Sequence, residues 1–68
     1  MYRYYLTMRP PAPGAVPRGA VNVDYNEFTA TDAGGHVLHI LGAVEYDREL
    51  TPKEICDYEL IEDGEIEV

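Results

Sequence analysis

The sequence is poor in cysteine, in long apolar runs and in basic residues. It has a single cysteine among 68 residues, so an intramolecular disulfide is excluded. No apolar run approaches the roughly 20 residues that span a bilayer, and the first residues lack the apolar core of a signal peptide. We therefore expect one small cytoplasmic domain over residues 1–68, with no membrane association and with fraying at residues 1–2 and 64–68.

Basic residues number five against 13 acidic ones, and the resulting net charge of −8 is unevenly distributed. Every charged side chain in residues 1–20 is an arginine, whereas most of the acidic residues fall in residues 45–68. Because a basic face supplies most of the affinity for nucleic acid, this distribution argues against general nucleic-acid binding. It suits a solvated acidic face or a basic partner.

Residue patterns that signal catalysis or metal binding are also lacking. His36 and His39 are three apart, so on a strand they point to opposite faces and do not converge on a metal. Cys56 has no nearby cysteine partner, and we expect a small buried thiol rather than a nucleophile. We expect no enzymatic activity, no cofactor and no metal site.

Proline is concentrated in residues 9–19, here named the proline segment, which holds four of the five prolines and two arginines. Proline fixes its own φ and removes a backbone donor, so this segment forms neither a helix nor a central strand. It either stays extended and docks into an aromatic groove of a partner, or folds back over the sheet with Ala15 and Val16 filling a gap, which is the reading we favour. The predicted partner-binding residues are Arg9, Pro10, Pro11, Pro13, Pro17, Arg18 and Tyr5.

Alternation of apolar residues predicts strands at residues 2–8, 20–25 and 36–46, with a polar loop at 26–35. The run 36–46 is apolar on both faces in its middle, so we expect it to be the central strand. Gly42 within it indicates a bulge, a bend or a close approach by another group. The residues expected in the core are Leu6, Val21, Val23, Leu38, Ile40, Val44, Ile55 and Leu60.

The clearest local signal is a helix start at Thr51. A threonine followed by Pro52 and then Glu54 matches a capping box with proline at the first helical position. Leu50 and Ile55 have the spacing of a hydrophobic staple. We expect a short helix from Pro52 to residue 57 or 58, followed by an edge strand at 58–61. The predicted fold is therefore α+β, with a small, mainly antiparallel sheet of three or four strands and one short helix.

Three stretches together resemble a group of small proteins of unknown function carried by mobile or conjugative elements of Gram-positive bacteria. They are residues 4–19 (YYLTMRPPAPGAVPRG), residues 44–48 (VEYDR), and the end formed by LTPKEI at 50–55 with YEL at 58–60. The resemblance covers roughly residues 3–61, and the proline and glycine block is its most specific part. It implies a bacterial accessory protein tied to plasmid or transposon maintenance, and it supplies no catalytic residues.

The sequence leaves three functions open. The first is a non-enzymatic module that binds a protein partner through the proline segment and the acidic stretch 45–63, as a monomer or weak homodimer. The second is an acidic nucleic-acid mimic that binds a DNA-processing or restriction protein, which requires carboxylates on one continuous face. The third is weak binding of single-stranded nucleic acid by Tyr5 with the nearby arginines.

Overall fold

The structure is a computed structural model that describes residues 1–67. It contains seven short strands, one α-helix and one turn of 3₁₀-helix, at Asp63–Glu65. The helix, α1, spans Pro52–Asp57. The strands in chain order are β1 (Tyr2–Leu6), β2 (Asn22–Asp24), β3 (Phe28–Asp32), β4 (Val37–Ile40), β5 (Gly42–Tyr46), β6 (Leu60–Glu62) and β7 (Ile66–Glu67).

Four of the strands form the larger sheet, in the order β2-β5-β1-β6 with every neighbouring pair antiparallel. The strands β1 and β5 lie at its centre and pair along their whole length, from Tyr2 opposite Tyr46 to Leu6 opposite Gly42. Three of the five residues of β1 are tyrosines, β5 contains Val44 and Tyr46, and both strands are buried on both faces, as expected of central strands. The larger sheet is therefore the middle layer of the fold.

A smaller sheet of three strands, in the order β4-β3-β7, lies on one face of the larger one. Tyr5 and Ala43 of the larger sheet pack there against Ala30, Ile40 and Ile66. The opposite face buries a second cluster, against which Ile55 of the helix and Val16 of the proline segment pack. That second cluster consists of Tyr4, Leu6, Val44, Tyr46, Leu50 and Leu60.

The prediction of one central strand over residues 36–46 is wrong, because this run forms two strands in two different sheets. The chain leaves β4 at Ile40 and enters β5 at Gly42. Between them the backbone N–H of Leu41 donates a hydrogen bond to the carbonyl of Leu6, 2.7 Å away. Apolar residues on both faces of the run are thus explained by burial between two layers and not by one long strand.

The predicted α+β fold with a single sheet is likewise wrong, since the structure is mostly β with two antiparallel sheets and one short helix. The expected polar loop at 26–35 contains β3, and Ile66, within the end expected to fray, is buried in β7. Val68, the last residue of that end, lies outside the described residues. Among residues 1–67, no helix has the length and apolar character that crossing a membrane requires.

The helix begins as the sequence predicts. The Thr51 hydroxyl accepts a hydrogen bond from the backbone N–H of Glu54, and the Glu54 carboxylate accepts one from the backbone N–H of Thr51. Together these bonds form the predicted capping box. Leu50 is buried and Ile55 packs on the same cluster, as a hydrophobic staple requires.

The prediction that Leu6, Ile40, Val44 and Leu60 lie in the core is confirmed, because all four are buried. Val21 and Val23, predicted to lie in the core, are exposed, because Val23 belongs to β2, the outermost strand of its sheet, and Val21 directly precedes that strand. The list of residues expected in the core contains no tyrosine. Three of the six tyrosines are nevertheless buried, namely Tyr4, Tyr5 and Tyr46.

Candidate functional site

The proline segment folds back over the larger sheet, in agreement with the favoured prediction. Pro11 and Pro17 are buried, and Val16 packs against the core cluster around Tyr46. The Tyr46 hydroxyl donates a hydrogen bond to the carbonyl of Pro17. These contacts hold the segment in one conformation at the rim of the sheet.

Gly42 provides the space for this packing. A Cβ atom at this position would lie 2.7 Å from the carbonyl oxygen of Asp24 and closer still to the ring of Pro11. Contacts below 3.0 Å are essentially never made by real Cβ atoms. The predicted close approach at Gly42 is therefore confirmed, and the group that approaches is the Pro11 ring.

Between the proline segment and β2 lies an open groove of about 620 Å³, here named the proline groove. Its walls are mostly apolar. Val23 and Tyr25 form the side nearest β2, and Tyr58, which follows α1, contributes another aromatic ring. The Tyr25 side chain is 65% exposed and that of Val23 is 37% exposed, so apolar surface is presented to solvent. The remaining lining comes from residues 11–14 and 16–20.

The only charged residue in this lining is Arg18. The other basic side chains form ion pairs within the molecule, whereas Arg18 has no ion-pair partner among residues 1–67. Arg9, the other arginine of the proline segment, pairs with Glu59 and does not line the groove. Arg9 and Arg18 were both predicted to bind a partner, but in the structure they have different surroundings.

The predicted partner-binding residues divide into two groups. Pro11, Pro13, Pro17 and Arg18 line the proline groove, whereas Arg9, Pro10 and Tyr5 do not. Sequence reasoning missed Tyr25 and Tyr58 as groove residues. The alternation of Val21, Val23 and Tyr25 is a usable signal, but a buried strand face has the same pattern.

Tyr5 lies in the core, with 4% of its surface exposed and its ring edge-on to Phe28. Its hydroxyl donates a hydrogen bond to Asp63 (2.6 Å) and accepts one from the Nε of Arg3 (3.2 Å). Burial is the main cause that raises the pKa of Tyr5, so the hydroxyl stays protonated and able to donate. Arg3 also lies within ion-pair distance of Asp24 and Glu45, which connects three strands. The ring of Tyr5 offers no open face on which a base stacks.

The two histidines each face a carboxylate. Nε2 of His39 lies 2.9 Å from Glu27, and Nδ1 of His36 lies 3.3 Å from Asp32. Within residues 1–67 there is no group of three or more histidine, cysteine or carboxylate side chains placed to hold a metal ion. The expectation that Cys56 is buried is wrong, because the thiol is exposed on α1.

The acidic stretch is partly neutralised within the molecule. Glu45, Glu54, Asp57 and Glu59 each form an ion pair with a basic side chain. Six acidic residues between 45 and 67 have no ion-pair partner among residues 1–67. They are Asp47, Glu49, Glu62, Asp63, Glu65 and Glu67. Three of them line a second, smaller depression of about 280 Å³, namely Glu49, Glu62 and Asp63.

The fold and the groove define a small, acidic, mostly β domain whose open groove lies beside the outermost strand of its larger sheet. A family model described as "Defence against restriction A C-terminal" matches residues 1–65, so the chain belongs to this family. No curated protein and no solved structure gave a match. The family supports the association with mobile elements that the sequence resemblance implied, and it is not known as enzymatic. A Gram-positive origin stays a prediction.

Proposed function

We propose that the chain is a non-enzymatic interaction module acting in defence against restriction, and that it binds a protein partner through the proline groove. One observation carries the proposal: an apolar groove holds a single cation that has no partner among residues 1–67. Apolar surface rimmed by a polar group is typical of protein-binding sites.

The groove is held in shape before any partner arrives. The Tyr46–Pro17 hydrogen bond and the contact of Pro11 with Gly42 fix one wall against the sheet. A partner therefore does not have to order the proline segment on binding, and this lowers the entropic cost of association. The prolines lower this entropic cost further, because their φ angles are already fixed in the unbound state.

The chemistry of the walls indicates the partner's composition. Val23, Tyr25 and Tyr58 favour apolar side chains, and Arg18 favours a carboxylate. Arginine and tyrosine are also the residue types that most often dominate binding energy at interfaces. We therefore expect a partner segment that carries apolar residues and one acidic residue.

Selection from a random heptapeptide phage library on the immobilised chain tests this proposal. The selected peptides are expected to lose at least tenfold in affinity when Arg18→Ala or Tyr25→Ala is introduced. Arg9→Ala is the matched control, because Arg9 lies on the same segment but outside the groove. Failure to select any peptide, or selected peptides that bind both groove variants normally, would count against the proposal.

A second candidate function is an acidic nucleic-acid mimic that occupies a restriction protein. The family description and the net charge of −8 favour it, together with the six acidic residues that have no ion-pair partner within residues 1–67. In this case the chain competes with DNA for a purified restriction endonuclease. Affinity falls steeply as salt rises.

The variants separate the two candidates. For a mimic, the triple change Glu49→Gln, Glu62→Gln and Asp63→Asn weakens competition with DNA, and Arg18→Ala leaves it unchanged. Retention of full competition by the triple variant would reject the mimic.

A further inference from the structure

The strand β2 has one edge that pairs with no strand among residues 1–67. It is the terminal strand of the order β2-β5-β1-β6, and β5 occupies its other edge. Sheet edges of this kind present backbone N–H and C=O groups that another chain can pair with.

The strand β2 is only three residues long, but two of the features that usually block an edge strand are missing from it. Its three residues are Asn22, Val23 and Asp24, so it contains neither proline nor lysine. Its polar side chains are occupied within the sheet: Asn22 donates a hydrogen bond to Glu45, and Asp24 pairs with Arg3. By contrast, β6 at the opposite edge ends in Glu62 and is followed directly by Asp63. The β2 edge is the less protected of the two.

The apolar side of β2 faces the proline groove. Val23 lies directly opposite Val44, so both side chains lie on the face that the proline segment covers. Tyr25, two residues further along, also lines the groove and is 65% exposed. The open edge and the exposed apolar stripe are therefore adjacent.

We propose that the partner segment binds as an additional strand on β2. The proposal rests on the function proposed above and specifies its geometry. Backbone hydrogen bonds join the partner to the β2 edge, and every second side chain of the partner enters the proline groove. There, apolar side chains contact Val23 and Tyr25, and a carboxylate pairs with Arg18. The three residues of β2 give a docking length of roughly 10 Å, at about 3.3 Å per residue.

Charge complementarity selects an acidic and apolar segment rather than a second copy of the chain. The groove lining contains Arg18 and no acidic residue, so one carboxylate of a partner segment can pair with Arg18 there. Two copies that approach each other bring together two net charges of −8, which opposes association.

The test uses the tightest heptapeptide from the phage selection and the full chain. Amide hydrogen exchange, followed by NMR, is expected to slow at least tenfold for edge-facing amides within residues 21–25 when the peptide is bound. A peptide with N-methyl groups on one alternate set of its amides is expected to lose at least tenfold in affinity. Methylation of the other set is expected to change affinity less than threefold, because those amides point away from β2.

The outcomes separate this proposal from the one it rests on. A peptide that needs Arg18 and Tyr25 but protects no β2 amide, and tolerates both methylation patterns, overturns strand addition while the interaction module stands. If no peptide binds, both the interaction module and strand addition on β2 are rejected. If sedimentation shows a dimer, and the β2 amides are protected from exchange without peptide, then a second copy of the chain occupies the edge. That result also overturns the proposal.

Discussion

Tyr46 and Pro17, 29 positions apart in the chain, are joined by a hydrogen bond from the tyrosine hydroxyl to the proline carbonyl. Both residues are buried, and the bond connects central strand β5 to a wall of the proline groove. Burial raises the pKa of Tyr46 to about 12, so the hydroxyl remains a donor throughout the physiological range. One side chain of the core thus positions the segment that we propose contacts the partner.

The substitution Tyr46→Phe is expected to lower the free energy of unfolding by about 1–3 kcal/mol, because the Pro17 carbonyl is left buried without its donor. Urea denaturation measures the change. Tyr25→Phe is the control: its hydroxyl is on an exposed side chain, so stability is expected to stay the same. Equal stability of the Tyr46→Phe variant and the wild type would show that the hydrogen bond contributes nothing.

Gly42→Ala is expected to destabilise the fold by about 1–3 kcal/mol, the usual cost of overpacking a filled site. The added methyl group meets the Pro11 ring and the carbonyl oxygen of Asp24, so the proline segment must move. Gly64→Ala is a matched control, since a Cβ at Gly64 has no neighbouring atom within 4 Å. Thermal unfolding of both variants checks the prediction, and similar melting temperatures for the two would contradict it.

Removal of the helix cap by Thr51→Ala is expected to cost about 1 kcal/mol, since the backbone N–H of Glu54 loses its acceptor. Thr51→Ser keeps the hydroxyl and is expected to retain most of the stability. Urea denaturation of the pair distinguishes loss of the cap from loss of the methyl group. If serine proves as costly as alanine, the cap is not the cause.

Features of this fold that depend on neighbouring residues are predictable from the sequence, whereas features that depend on long-range contacts are not. The helix start depends on residues within four positions of Thr51, so its pattern identifies it directly. The division of residues 36–46 depends on Leu41 bonding to Leu6, a contact 35 positions distant that no period of two reveals. Alternation indicates that a residue is extended but does not say which sheet it joins.

The groove was predictable only in part, for a similar reason. Proline content identified the segment, and the packing of Val16 followed from the need to cover a small sheet. The different surroundings of Arg9 and Arg18 depend on where Glu59 lies in space, 50 positions from Arg9. Val21 and Val23 were misplaced because an edge strand and a buried strand share one alternating pattern.

Acid is expected to weaken the fold through Glu54. Two hydrogen bonds from Arg48 and one from the backbone of Thr51 lower the pKa of this carboxyl from 4.5 to about 2. Because its pKa is lower in the folded state, the stabilisation is complete above pH about 4.5 and is lost as the pH falls toward 2.

Urea midpoints measured across this pH range are therefore expected to fall less steeply for Glu54→Gln than for the wild type. Part of the slope remains in the variant, since the pKa values of Asp24 and Asp32 are also lowered, mainly by backbone hydrogen bonds. Glu65→Gln serves as the control, because Glu65 is exposed and has no ion pair within residues 1–67. Identical slopes for the wild type and Glu54→Gln would mean that the paired carboxylate at the helix start does not govern acid stability.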